Sequence, residues 1–199
     1  MKNLSYLFIV ILIISLSACA SRNSAQKNPN VPPGKVYSGK VLNITAPKSD
    51  GWKLLQASPQ GMAFGKQGDI PTESLAARVL KFDPPQTDSP EEFESLIVEG
   101  AKSDADTERF STKHFSHKFS SSRGYPCVRI KNVSEDKQAR NNLGTVEVLV
   151  LRNEHLYCRH PMRKDVGFVI TYSHRGKNEP NNFQKEAQSF IDGTQVPNN

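Results

Sequence analysis

The sequence predicts an α+β domain in which two amphipathic helices pack on an antiparallel β-sheet. Short runs of β-branched and aromatic residues are separated by turn residues, as in successive β-hairpins. Apolar residues recur at helical spacing in the segments 89–101 and 181–192. Most strands follow one another without an intervening helix, unlike the regular β–α alternation of a doubly wound parallel sheet.

The first half of the domain predicts strands joined by tight turns. A turn-forming segment at 47–51 precedes Trp52, the single tryptophan, which we expect to anchor the core at the start of a strand. Ser58-Pro59-Gln60-Gly61 predicts a hairpin turn. The predicted strands of this half cover 36–44, 52–56, 62–65 and 75–82.

The first helix has the clearest start signal in the chain. Ser89 is placed as the N-cap and Pro90 as the first helical residue, and Glu92 completes a Ser-x-x-Glu capping box. We expect one apolar stripe to face the sheet. Its members are Phe93, Leu96, Ile97, Gly100 and Ala101.

The second half predicts a run of strands and a closing helix. The segment 145–152 is nearly continuous in apolar character, so we expect it near the centre of the sheet. We expect a polar loop at 135–142, a tight turn at 152–154 and a basic turn at 174–177. The predicted strands here cover 110–121, 125–133, 145–152, 155–159 and 166–173.

The closing helix is predicted from 181 to 192. Gly193 is placed as the residue that stops it. Its apolar stripe consists of Phe183, Ala187, Phe190 and Ile191.

The N-terminus has the pattern of an export signal. Lys2 precedes an apolar run at 7–14, which is shorter than the about 20 residues needed to span a bilayer. Leu16-Ser17-Ala18-Cys19 follows and resembles the lipobox of bacterial lipoprotein signal peptides. The resemblance implies acylation of Cys19, with palmitate among the acyl chains, and cleavage before it. Because Ala20 follows the cysteine, it also implies an outer-membrane location facing the periplasm.

These signals divide the chain into four parts. We expect a signal peptide at 1–18, a lipidated flexible tether at 19–36, one globular domain at 37–194 and a frayed tail at 195–199. The lipid anchor makes the membrane the first expected partner. With Cys19 acylated, Cys127 and Cys158 remain as an even pair in an oxidising compartment, which predicts a disulfide.

The order of elements resembles the PsbP/DcrB-type fold. The resemblance rests on Trp52-Lys53-Leu54 before Met62-Ala63-Phe64, the helix capped by Ser89, the strands between 125 and 172, and the final helix at 183–191. It implies a sandwich of sheet and helices, and a role in binding or assembly instead of catalysis. Members of this group share no catalytic residues, so no site residue is implied.

Charge is distributed unevenly along the chain. The segment 83–109 carries nine acidic and two basic residues, whereas 110–177 carries thirteen Lys or Arg and five acidic residues. Outside the cytoplasm, a basic surface predicts an anionic lipid, an anionic glycan or an acidic envelope protein as partner, and no nucleic acid. The alternative is a solvated face, or one paired with the acidic segment. The candidate binding residues are Arg152, Arg159, His160, Arg163, Lys164 and Arg175.

Evidence for catalysis is weak. Cys158 and His160 fall on one face of a predicted strand, so a Cys/His nucleophile pair is conceivable, but a disulfide would remove it. His114 and His117 point to opposite faces of a strand, which argues against a shared metal. We therefore expect a non-enzymatic envelope lipoprotein without cofactor or metal. The alternatives are an enzyme or metal protein using Cys158, His160 or other histidines, and a structural lipoprotein without a specific ligand.

Overall fold

The computed structural model of the chain describes residues 28–103, 106–140 and 145–197. The lipobox residues Leu16 to Cys19 lie outside these ranges. Within the described residues, no helix is long and apolar enough to cross a membrane. The elements are β1 Val36–Tyr37, β2 Asn43–Thr45, β3 Lys53–Ser58, β4 Gly61–Gln67, β5 Ser74–Phe82, α1 Pro90–Ser103, β6 Phe110–Ser120, β7 Cys127–Arg140, β8 Val146–Arg159, β9 Gly167–Gly176, α2 Phe183–Gly193 and β10 Thr194–Gln195.

The predicted α+β class is confirmed. In the described ranges, seven antiparallel strands form one sheet in the order β3-β4-β5-β9-β8-β7-β6, and β1, β2 and β10 form a small second sheet. Side chains alternate between the two faces of the large sheet. One face packs against α2 and the small sheet, in a core around Trp52 and Phe190. The opposite face packs against α1, in a core around Phe93 and Val128.

The predicted turn at 152–154 is wrong, because β8 runs without a break through these residues. Asn153 is paired with Asn132 of β7 on one side and with Ser173 of β9 on the other. Glu154 is buried, and its carboxylate accepts hydrogen bonds from Arg129 and Lys131, each over 3.1 Å. The buried carboxylate of Glu154 is therefore satisfied inside the sheet, and a polar residue at this position does not end the strand.

The predicted polar loop at 135–142 is also a strand as far as Arg140. Asp136 is fully buried there, and its two carboxylate oxygens accept hydrogen bonds from Arg109 Nε and Nη2 over 2.9 and 2.8 Å. Arg175 Nη1 lies 3.8 Å from the same carboxylate. The two guanidinium groups offset the cost of burying the acid, so a polar segment can continue the sheet.

The predicted basic turn at 174–177 is wrong for the same kind of reason, since β9 continues through Gly176. His174 pairs with Leu75 of β5 and Arg152 of β8, and Arg175 lies between these same two strands. A segment that reads as a turn is therefore the end of the central strand.

The predicted first strand at 36–44 is two short strands. β1 and β2 pair with each other, with Tyr37 opposite Ile44. β10 completes the small sheet, because Gln195 pairs with Asn43 in the segment expected to be a frayed tail. Part of the expected tether is also built into the fold, since Val31 is buried and its N–H donates to the carbonyl of Trp52.

The helix α1 begins as predicted, with a shifted cap. The N–H of Glu92 donates to Ser89 Oγ over 3.1 Å, and the Glu92 carboxylate accepts from the N–H of Asp88 instead of that of Ser89. The buried face is rotated slightly from the predicted stripe. It contains Phe93, Ile97 and Val98, whereas Leu96 is 38 % exposed.

The helix α2 buries the four predicted apolar residues. Gly193 is its last residue instead of the first residue beyond it, and its φ is not positive. A Cβ at Gly193 would lie 2.9 Å from Thr45 Cβ, so glycine is required by the close approach of β2. Arg123 donates from Nη1 to the carbonyl of Thr194 and from Nη2 to that of Ile191, which satisfies the end of the helix.

Candidate functional site

The structure does not bring the predicted basic residues together on one surface. Arg152 and Arg159 are seven residues apart on β8, so their side chains project from opposite faces of the sheet. Arg175 projects from the face opposite its neighbour His174, whose ring packs against Phe183 of α2. The three arginines of the strands therefore share no single binding surface.

Arg159 stabilises the segment that leads into α1. Its Nη2 donates to the carbonyl of Pro85 over 2.5 Å and to Thr87 Oγ1 over 2.9 Å. Its guanidinium carbon lies 5.0 Å from the centre of the Phe93 ring. These contacts give the side chain a structural role.

The other charged candidates are mostly paired. Arg152 Nε lies 3.4 Å from the carboxylate of Glu179, and Arg175 faces the buried Asp136. His160 is buried, and its Nδ1 accepts hydrogen bonds from the N–H groups of Met162 and Arg163. That arrangement closes the turn between β8 and β9, where Arg163 and Lys164 lie exposed.

The cysteine pair is buried between two neighbouring strands of the large sheet. Cys127 of β7 lies directly opposite Cys158 of β8, and their Sγ atoms are 2.10 Å apart. Both side chains are buried in the core beneath α2. A sulfur bonded in this way cannot attack a substrate, so the arrangement removes the Cys158/His160 nucleophile.

Among the described residues, no group of three or more His, Cys, Asp or Glu side chains is arranged to hold a metal ion. His117 Nδ1 instead lies 3.0 Å from Glu94 of α1. His155 Nδ1 lies 3.0 Å from Thr171 Oγ1, and burial, with a smaller contribution from Arg78, lowers the pKa of His155 to about 4. The imidazole of His155 is therefore neutral at physiological pH.

The face beneath α2 carries a polar seam that was not predicted from the sequence. Glu154 is buried at its centre, and Arg129 and Lys131 bind it. The same two cations also donate to Gln188 and Gln184 of α2, over 2.9 and 3.0 Å. The seam therefore ties the helix to the sheet through buried charge. The signal in the sequence was the alternation of charged residues along β7.

A second feature that was not predicted from the sequence is a cavity of about 280 Å³, which we call the hairpin pocket. Three elements form it, namely the β1–β2 loop at 38–42, the β3–β4 turn at 58–61 and the strand β5. The only sequence signal for it was the presence of turn residues beside apolar residues in both loops. Its apolar lining consists of Tyr37, Val41, Leu42, Ile44, Met62 and Val79.

The rim of the hairpin pocket is basic. Lys40 is exposed at the tip of the β1–β2 loop, and Lys81 projects from β5 on the same face as Val79. No acidic residue lines the pocket within the described part of the chain. Neither lysine has an ion-pair partner among the described residues. The pocket thus combines an apolar floor with two free cations.

The chain matches no protein-family model, and no curated protein is significantly similar to it. Several solved structures are similar in outline, among them the following three. LpqN, involved in cell envelope biogenesis of Mycobacterium tuberculosis, is 13% identical with a TM-score of 0.46, over 86% of this chain and 91% of that chain. A mutant of the protein Mog1 is 12% identical with a TM-score of 0.41, over 85% and 95%. The Saccharomyces cerevisiae Ran-binding protein Mog1p is 12% identical with a TM-score of 0.38, over 85% of each chain. Likeness at this level identifies neither a function nor shared site residues.

Proposed function

We propose that the protein is an exported envelope lipoprotein whose α+β domain binds an envelope component without catalysing a reaction. Acyl chains on Cys19 hold it on the membrane, and the residue after the cysteine, Ala20, favours the periplasmic face of the outer membrane. Two or more acyl chains meet the requirement of two signals for stable membrane anchoring.

The observation that carries this proposal is the placement of the three cysteines, one in the lipobox and two paired inside the domain. Cys19 closes the lipobox at the end of the apolar leader. Cys127 and Cys158 lie at disulfide distance inside the domain. Stable disulfides are typical of exported proteins and rare in the cytosol. The pair within the fold therefore supports the same compartment as the leader, and the two observations are independent.

The binding role is supported by the hairpin pocket. A concave apolar cavity with a few polar groups at its rim is the usual form of a ligand site. The enzyme alternative needed a free thiol at Cys158, and the position of Cys127 argues against one.

The anchoring is tested by metabolic labelling in a Gram-negative host grown with an alkyne analogue of palmitate. We expect the wild-type chain to take up the label and to fractionate with the outer membrane. The Cys19→Ser variant should remain unlabelled and keep its leader. The Cys127→Ser/Cys158→Ser variant is the matched control and should still be labelled. Label that persists in Cys19→Ser, or wild-type protein that is unlabelled and free of the membrane, would contradict the proposal.

A further inference from the structure

We propose that the hairpin pocket binds a single-chain amphiphile, an unbranched alkyl chain that ends in an anionic head group. This inference deepens the proposed binding function, on which it rests, by naming the class of ligand. It follows from the size, lining and charge of the pocket.

The size limits the ligand to one chain. Pockets for drug-sized ligands start at roughly 300 Å³, so the volume of about 280 Å³ lies just below that range and suits a smaller ligand. The floor consists of Leu42, Ile44 and Val79, which are almost completely buried, so its shape is fixed by the core. A lipid with two acyl chains, or a segment of a folded partner, needs a larger volume than this cavity provides.

The charge selects the head group. Lys40 and Lys81 both line the cavity, and no carboxylate among the lining residues neutralises them. Lysine stems pack along apolar groups while their ammonium groups reach for polar partners. An alkyl chain on the floor would therefore place its head between the two ammonium groups. A neutral head group would gain less from this rim, and a cationic one would be repelled.

Two sources can supply this chemistry, a free fatty acid or a single-chain phospholipid. Both carry one alkyl chain and an anionic head, and the pocket recognises these shared features. Competition with a carboxylate and with a phosphate head on the same chain distinguishes the sources.

The test uses the lipidated protein in nanodiscs of zwitterionic lipid. A medium-chain fatty acid that bears a diazirine is added and irradiated, and the adducts are mapped by tandem mass spectrometry. We expect adducts concentrated in the segments 37–44 and 58–62. Unlabelled decanoate or decyl phosphate should compete, whereas decanol should compete weakly and decyltrimethylammonium should not compete. The stronger of the two anionic competitors identifies the source.

The Lys40→Glu/Lys81→Glu variant should bind the probe about tenfold more weakly. The matched control is Lys48→Glu/Lys185→Glu, which makes the same change in charge at two exposed lysines outside the pocket. Circular dichroism checks that both variants fold.

Adducts spread evenly over the surface would overturn the inference, as would equal losses in the two variants or effective competition by the cationic amphiphile. Any of these three results, obtained with protein that is acylated at Cys19, rejects the proposed ligand class but does not affect the proposal of lipid anchoring. Pocket adducts in wild-type protein that the metabolic labelling finds to be unacylated at Cys19 would reject the anchoring and retain the ligand class.

Discussion

Cys127 and Cys158 occupy directly opposed positions on β7 and β8, with their Sγ atoms 2.10 Å apart. The strands are already hydrogen-bonded neighbours, so the bond adds little to the folded sheet. Its main effect is on the unfolded chain, where it closes a loop of 31 residues. On the chain-entropy account, such a loop contributes about 3–4 kcal/mol to the free energy of unfolding.

We therefore expect the domain to have no titratable thiol when denatured without reductant. Dithiothreitol should lower its unfolding free energy in urea by about 3–4 kcal/mol. The control is the Cys127→Ala/Cys158→Ala variant, whose stability should not depend on reductant. Two free thiols in the wild-type domain would contradict the disulfide and would make Cys158 a candidate nucleophile again.

Arg159 should act on stability instead of ligand binding. The Arg159→Ala variant loses the hydrogen bonds to Pro85 and Thr87, and we expect it to lower the unfolding free energy by about 1–3 kcal/mol. Arg159→Lys keeps the charge without the planar fork and should restore only part of this loss. Chemical denaturation measures both variants.

Arg163→Ala is the comparison for Arg159. The Arg163 side chain is 52% exposed and its partner Asp165 is 75% exposed, so the change should stay within about 0.5 kcal/mol. Equal effects at the two arginines would show that Arg159 does not stabilise the segment before α1.

The elements that the sequence predicted correctly are those specified by neighbouring residues. The start of α1 depends on Ser89 and Glu92, three positions apart, and the stripe of α2 lies within a single helix. The strand through Glu154 could not be predicted, because the groups that satisfy its carboxylate are 23 and 25 positions away, at Lys131 and Arg129. From the sequence alone, a polar residue that is buried and paired cannot be distinguished from one in a turn, because its partners are distant in the chain.

The candidate site was harder to predict than the fold. The basic residues were grouped because they are close in the sequence, but alternation along β8 and β9 sends them to opposite faces. The hairpin pocket combines two loops with β5, and Ile44 on its floor is far in the chain from Lys81 at its rim. Its existence depends on how the small sheet packs on the large one, and no local pattern encodes that packing.

The free energy of unfolding should fall as the pH drops below neutral, because the fold keeps His155 neutral while the unfolded chain takes up a proton there. Burial lowers its pKa from 6.5 to about 4, so between these values the unfolded chain binds a proton that the folded chain does not. The resulting stability is complete above about pH 6.5 and is lost as the pH falls toward 4. Its size is at most about 3 kcal/mol. Burial also lowers the pKa of His174, which acts in the same direction.

Urea denaturation at several pH values from about 7.5 down to about 4.5 measures this dependence, because this range includes the ordinary His pKa of about 6.5. The His155→Gln variant removes the titrating group at this position, so its stability should fall less steeply over the same range. Identical slopes for the variant and the wild type would show that His155 titrates normally in the folded protein.

Two glycine substitutions should have opposite effects, because one glycine is enclosed and the other is not. A Cβ at Gly61 would lie 2.0 Å from the carbonyl oxygen of Val79, and this backbone cannot move away since Gly61 is paired with Leu80 of β5. We expect Gly61→Ala to cost about 1–3 kcal/mol or more. Gly100 is exposed in α1, and a Cβ added there would meet no atom within 4 Å, so Gly100→Ala should add about 0.5–1 kcal/mol. Thermal and urea denaturation of both variants test the pair, and a Gly61→Ala protein as stable as the wild type would mean that β4 and β5 pack less closely than these distances require.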